Sequence, residues 1–144
     1  MVDFLIIGPV NAVNYIEVFP LIREGRIRFG VEFSRCHIFF LYEGKEIDVS
    51  GVCYFTILDN NRKETWVCSE VYEEGKYRKF DNVDAINIDD CRMIPADYKG
   101  QMGVPLTFLR KWDPGEFEIL DMMKDTRVMV DGEMKYVRIL IRRK

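Results

Sequence analysis

The chain has 144 residues, 48% hydrophobic and 31% charged, which excludes a disordered chain and fits one compact domain able to bury a core without staples. Its net charge of −3 excludes a nucleic-acid footprint spread over the whole domain, so any contact with DNA or RNA has to come from local basic clusters. No run of 18 apolar residues occurs to span a membrane, and the start lacks the basic region and cleavage site of a secretion signal, so a cytoplasmic location is expected.

In chain order, Phe4-Leu5-Ile6-Ile7 is a continuous apolar run ending at Gly8-Pro9, the pattern of a strand buried on both faces of a parallel sheet. Asn11 then offers an N-cap, and Ala12, Tyr15, Ile16, Phe19 and Ile22 recur at helical spacing, with Pro20 kinking or shortening the helix and Gly25 stopping it. Residues 26–31 alternate with period two. Strand, helix and strand in about thirty residues predict one βαβ unit with a right-handed crossover and a parallel pair.

After this the helical period disappears. Residues 51–58 form a strand rich in β-branched and aromatic residues, ended by Asp59-Asn60-Asn61, and Trp66-Val67-Cys68 is its candidate antiparallel partner. Residues 70–100 are polar and irregular. Asp113-Pro114-Gly115-Glu116 carries the signature of a helix start. The end predicts a β-hairpin from 127–130, an Asp131-Gly132 turn and 136–141, followed by Arg142-Arg143-Lys144 as a frayed tail.

The chemical signals are sparse. Cys36, Cys53, Cys68 and Cys91 form no Cys-x-x-Cys pair and only His37 accompanies them, so no metal site is indicated and reduced thiols are expected. Gly8-Pro9-Val10-Asn11 is not a dinucleotide fingerprint, and no P-loop occurs. Gly100-Gln101-Met102-Gly103 has the spacing of a backbone-clamping loop, yet it runs into an extended segment rather than a second helix. Asp81, Asp84, Asp89 and Asp90 show no calcium-loop spacing. Ser34, Cys36 and His37 lie close in sequence, but neighbours on a strand point to opposite faces. The basic clusters say more. Arg62 and Lys63 follow Asn60 and Asn61 at a predicted hairpin tip, and Lys76-Tyr77-Arg78-Lys79-Phe80 interleaves cations with aromatics, a mix that neutralises phosphates and stacks on bases.

Whole phrases add to this reading. Phe4-Leu-Ile-Ile-Gly-Pro-Val-Asn-Ala-Val-Asn-Tyr-Ile-Glu-Val-Phe-Pro-Leu-Ile22 resembles the segment after the catalytic motif in EcoRI-type adenine-specific DNA methyltransferases. So do Phe80-Asp-Asn-Val-Asp-Ala-Ile-Asn-Ile-Asp-Asp90, Ile94-Pro-Ala-Asp-Tyr98 and Gly100-Gln-Met-Gly-Val-Pro-Leu-Thr-Phe-Leu109, while Val52-Cys-Tyr-Phe-Thr56 is similar to that family's aromatic strand. The resemblance runs across nearly the whole chain. It implies transfer of a methyl group from S-adenosylmethionine to the exocyclic amino group of adenine in double-stranded DNA, with the base flipped from the duplex. The Gly-rich cofactor loop and the Asn/Asp-Pro-Pro-Phe/Tyr tetrapeptide of such enzymes are both missing; the single Asp-Pro here, Asp113-Pro114, is followed by Gly115.

The resemblance therefore implies an α/β (α+β) fold. Residues 1–69 would be the C-terminal part of a Rossmann-like methyltransferase sheet, a βαβ unit plus antiparallel closing strands. Residues 70–144 would be a β-rich DNA-recognition region, packed with the first part as one domain or two. Both missing motifs would lie upstream of Met1, leaving no catalytic or cofactor-binding residue in this chain and no S-adenosylmethionine bound by it alone. The loop Glu32–Phe40 is implied to carry an aromatic against the flipped base, Phe33 first and Phe39 second, unless both are core aromatics. Asn60, Asn61, Arg62 and Lys63, with Lys76, Tyr77, Arg78, Lys79 and Asn82, are the implied DNA contacts. The expected partners are DNA and an upstream methyltransferase half, or a second copy paired through an open sheet edge. The alternative is a stand-alone, non-catalytic module that binds DNA or protein.

Overall fold

The computed structural model describes residues 2–29, 37–58 and 64–144. The chain divides into two units, Met1–Lys63 and Glu64–Lys144. Among the described residues strands outnumber helices, and the fold is α+β.

In the first unit, β1 (Leu5–Pro9) leads through a 3-10 turn (Val10–Asn14) to α1 (Phe19–Arg23) and β2 (Arg28–Phe29). A hairpin of β3 (His37–Tyr42) and β4 (Lys45–Ser50) follows, and then β5 (Val52–Thr56). The sheet order is β1-β5-β2, with β5 antiparallel to both neighbours. Phe29 and Phe55 meet edge to face at 5.6 Å over a core that includes Val13, Phe19, Ile22 and Cys53.

Several expectations for this unit need correction. β1 and β2 do run parallel, since each is antiparallel to β5, but β5 lies between them, so they are not a hydrogen-bonded pair. Nor is β1 buried. Its apolar run favours an extended strand, but the described part of the unit leaves Leu5, Ile6 and Ile7 exposed. The long kinked helix is replaced by the 3-10 turn and a five-residue helix, with Pro20 in its first turn, where the missing N–H costs no hydrogen bond. Gly25 does end it, at φ 72°, donating to the Ile22 carbonyl at 2.8 Å. Residues 66–68 form no strand; the described partners of β5 are β1 and β2. His37–Phe40 belong to a strand rather than to a loop. The β3–β4 turn, Glu43-Gly44, takes φ of 48° and 73°, the left-handed pair of a two-residue hairpin.

The second unit is built on a four-stranded sheet. β6 (Ile86–Asn87) runs parallel to β7 (Gln101–Pro105); β11 (Arg138–Arg143) lies antiparallel between β7 and β8 (Phe117–Met123). A separate hairpin joins β9 (Met129–Val130) to β10 (Glu133–Met134) through Asp131 and Gly132, at φ 50° and 80°. The predicted Asp-Gly turn is therefore present, but its return strand stops at Met134 and residues 138–143 go to the central sheet. Phe80, Ala85, Met123, Val128, Val130 and Leu140 form a hydrophobic cluster. Gly103 makes this packing possible. A Cβ there would lie 2.4 Å from the Phe80 ring and 2.7 Å from the Met123 methyl.

The Gly100–Gly103 spacing thus falls at a strand, not at a clamping loop. Asp113 starts no helix. Its carboxylate accepts from the Gly115 amide at 2.8 Å and its carbonyl from the Phe117 amide at 3.0 Å, a turn that feeds β8. The C-terminal residues do not fray. Arg143 pairs with Glu116, donates to the Pro95 carbonyl at 3.1 Å and covers the Phe117 ring at 4.5 Å.

Candidate nucleic-acid interface

The segment carrying the second basic cluster is anchored residue by residue. The Arg78 carbonyl accepts from the Asn87 amide at 2.7 Å, and the Phe80 amide donates to Ala85 at 3.1 Å. Phe80 turns inward to the core, which leaves Lys79 and Asp81 outside. The Asp81 carboxylate then accepts from the amides of Asp131 and Gly132, both at 2.9 Å. Asn82 donates to the Thr126 carbonyl at 2.8 Å. Arg78, Phe80, Asp81 and Asn82 are thereby fixed against the stretch 85–87, the β9–β10 hairpin and Thr126.

Between this segment, the stretch 87–90 and the hairpin lies a cleft of about 680 Å³. Its rim mixes three cations, Lys76, Arg78 and Lys135, with the carboxylates of Asp89, Asp90, Asp131 and Glu133, and each of the three cations is paired. Lys76 meets Glu70 at 2.7 Å, Arg78 pairs with Asp131, and Lys135 stands 4.0 Å from Glu133. Lys79, adjacent to the rim, has no ion-pair partner among the described residues. Exposed pairs of this kind contribute about 0–1 kcal/mol, so a phosphate can replace the carboxylate at little cost. Tyr77 lies deeper. Its hydroxyl donates to the Met93 carbonyl at 2.9 Å and its ring stacks on Tyr72 at 5.9 Å, itself 4.5 Å from Tyr98.

In the cleft wall Asn87 and Asp89 join a polar assembly built on the buried Arg138. Arg138 on β11 donates from Nε to the Asn87 side-chain carbonyl at 3.2 Å and from Nη2 to Asp89 at 3.0 Å, while Asn87 donates from Nδ2 to the same Asp89 oxygen at 3.0 Å. The Arg138 side chain is 8% exposed and that of Asp89 68%. The Asn87 hydrogen bond, followed by the Arg138 hydrogen bond and charge, holds the Asp89 carboxyl below its ordinary range despite partial burial. Sequence reasoning placed Asp89 in an acidic run and missed Asn87 and Arg138. The available signal was an arginine set within the otherwise apolar run Tyr136-Val137-Arg138-Ile139-Leu140-Ile141.

The other sequence-derived candidates are distributed as follows. Lys76, Tyr77, Arg78, Lys79 and Asn82 come together on one stretch, three of them lining the cleft. The amino group of Asn82 and the hydroxyl of Tyr77 are already engaged within the protein. Phe39 sits on β3 opposite Asp48 and is 61% exposed, so it is not a core aromatic. Phe33, Asn60, Asn61, Arg62 and Lys63 lie outside the described residues.

Gly8 lies inside β1, with the Phe55 ring 3.3 Å from its Cβ position, so this glycine offers no open cradle for a cofactor. Among the described residues no cluster of three or more His, Cys, Asp or Glu is arranged for a metal ion, and no helix is long and apolar enough to cross a membrane. Among the described residues Cys53, Cys68 and Cys91 form no disulfide.

Comparison with known proteins adds three findings. The family model described as adenine-specific methyltransferase EcoRI matches residues 2–144. The type II methyltransferase M.EcoRI of Escherichia coli is 38% identical over 98% of this chain and 50% of its own length. M.MpnI of Mycoplasma pneumoniae is 29% identical over 99% of this chain and 57% of its own length. The chain thus spans about half the length of the curated relatives it matches. No solved structure matches it.

Proposed function

Because this chain belongs to the EcoRI-type adenine-specific methyltransferase family, we propose that it supplies the DNA-facing, C-terminal part of an S-adenosylmethionine-dependent adenine methyltransferase of a restriction–modification system. In this reading it completes a Rossmann-like sheet and contributes target recognition. The methyl-donor site and catalytic tetrapeptide come from outside these 144 residues, so the chain alone transfers no methyl group. The observation that carries the reading is the anchored segment Lys76–Asn82. Its cations face solvent in a chain that matches a DNA methyltransferase family from end to end.

Phosphate contacts by Arg78 and Lys79 would position the duplex, with the candidate residues 60–63 adding to them. Phe39, exposed on β3, and Phe33 are the proposed stacking residues for the flipped base. Titrating the chain into labelled duplex at rising salt tests the interface: affinity should fall steeply as salt releases the counterion term. No binding at low salt would remove the reading. Incubation with labelled S-adenosylmethionine and DNA tests the inactivity, which methyl incorporation would overturn.

A second reading, an interaction module, draws on the exposed Leu5, Ile6 and Ile7 of β1, whose outer edge has no strand partner among the described residues. It predicts concentration-dependent sedimentation without salt-dependent DNA binding.

A further inference from the structure

We propose that Asp89 is a specificity-determining residue of this interface, its exposed oxygen accepting a hydrogen bond from an exocyclic amino group of a base, adenine N6 or cytosine N4, in the major groove. The inference rests on the DNA-interface reading above and deepens it to one atom.

The argument begins with depth. In an ordinary surface ion pair both side chains stand in solvent and move. Here the guanidinium is buried beneath the carboxylate and held in place by three acceptors: Asn87 at 3.2 Å, Asp89 at 3.0 Å and the Tyr136 carbonyl at 3.3 Å. Arg138 in turn rides on the central strand of the sheet, paired on both sides. Asp89 is therefore a carboxylate with a fixed direction. Its Oδ1 takes both donors, from Asn87 and Arg138, and its Oδ2 receives no hydrogen bond among the described residues. A positioned, unused acceptor at the edge of a cleft selects for a donor.

The chemistry narrows the donor. A phosphate is repelled by the carboxylate, and a keto oxygen or ring nitrogen offers no hydrogen. The only major-groove donors that bases present are the amino groups of adenine and cytosine. Arg78 and Lys135 line the same cleft, each paired with a carboxylate, so the positive charge that lets Asp89 approach the duplex comes from the nearby Lys79 and from those two cations once phosphate displaces Asp131 and Glu133.

The test uses Asp89→Asn. An asparagine keeps the Oδ1 acceptor for Arg138 and Asn87 but turns the exposed acceptor into a donor. Wild type and variant, each checked for folding by circular dichroism, are used to select duplexes from a randomised pool. Wild type should favour an amino-bearing base at one position by roughly tenfold or more. D89N should lose that preference while its affinity for bulk duplex holds or tightens by a few fold, since it removes a negative charge and no phosphate contact. A second measurement needs only wild type. Replacing the selected adenine by purine, or the cytosine by 2-pyrimidinone, deletes the amino group and should cost the same factor. Salt-dependent binding with no positional preference, identical selections by the two proteins, or indifference to the deleted amino group would each overturn the Asp89 assignment and leave the interface standing. No binding of wild type to any duplex at low salt would overturn both.

Discussion

Arg138 reaches Asp89 from below: its side chain is 8% exposed and that of Asp89 68%, and the two meet at 3.0 Å. The two ends of this pair should respond unequally to mutation. Arg138→Ala removes a buried stem and leaves the Asn87 carbonyl unpaired, which should cost about 2–3 kcal/mol. Asp89→Asn, at the exposed end, should cost under about 1 kcal/mol. Urea unfolding of the two variants measures both, and equal losses would contradict the depth asymmetry.

The same pair sets a pH dependence. The Asp89 carboxyl is held below its ordinary range, first by Asn87 and then by Arg138. Its contribution to stability is therefore complete above the unfolded carboxylate value, about 3.9, and is lost as pH falls through the lower folded value. Asp90 behaves alike through its hydrogen bonds from Arg92. Unfolding midpoints of wild type and D89N, followed from pH 6 down to pH 2 or so, should converge in acid. Parallel curves over that range would contradict the linkage.

Gly103 should not tolerate a side chain. The Cβ of Gly103→Ala would stand 2.4 Å from Phe80 and 2.7 Å from Met123, and the overpacking should cost about 1–3 kcal/mol. Phe80→Leu in the same chain should recover part of that loss, because the two positions share one space. Additive losses in a double-mutant cycle would show that the contact is not what excludes alanine.

Cys91 should be inert in the folded protein. Burial pushes its thiol up to about 12, against a weak contact with Thr107 at 3.8 Å. Iodoacetamide near neutral pH should modify it only after denaturant is added, as read by mass spectrometry. Alkylation of the native chain at the rate of an unfolded thiol would contradict this.

Two substitutions separate free from paired cations at the proposed interface. Lys79→Ala should reduce the salt slope of duplex binding by about one counterion. Asp131→Asn, which frees Arg78 and keeps a residue that tolerates the turn's positive φ, should tighten binding about two- to threefold at low salt. A slope unchanged by K79A would remove Lys79 from the interface.

Local signals in the chain marked β1, β5, the stop at Gly25, the Asp131-Gly132 turn and the grouping of Lys76 to Asn82, because each depends on neighbours within a few residues. The family was also legible, in phrases spread from Phe4 to Leu109. What local signals could not decide was pairing. Whether β2 sits beside β1 or across β5, and whether residues 138–143 return to the hairpin or enter the sheet, depends on which edge each strand finds. That choice is made by packing between segments far apart in sequence. The same holds for the cleft. Asn87 and Asp89 are separated from Arg138 by 51 and 49 residues and form one polar assembly with it only when β11 passes beneath the stretch 87–89. The sequence by itself determined a strand-rich chain of a methyltransferase family with a basic, aromatic segment. The tertiary structure alone decided that an aspartate beside that segment is held rigid by a buried arginine, because only folding brings a charge from the last strand under a carboxylate from the middle of the chain.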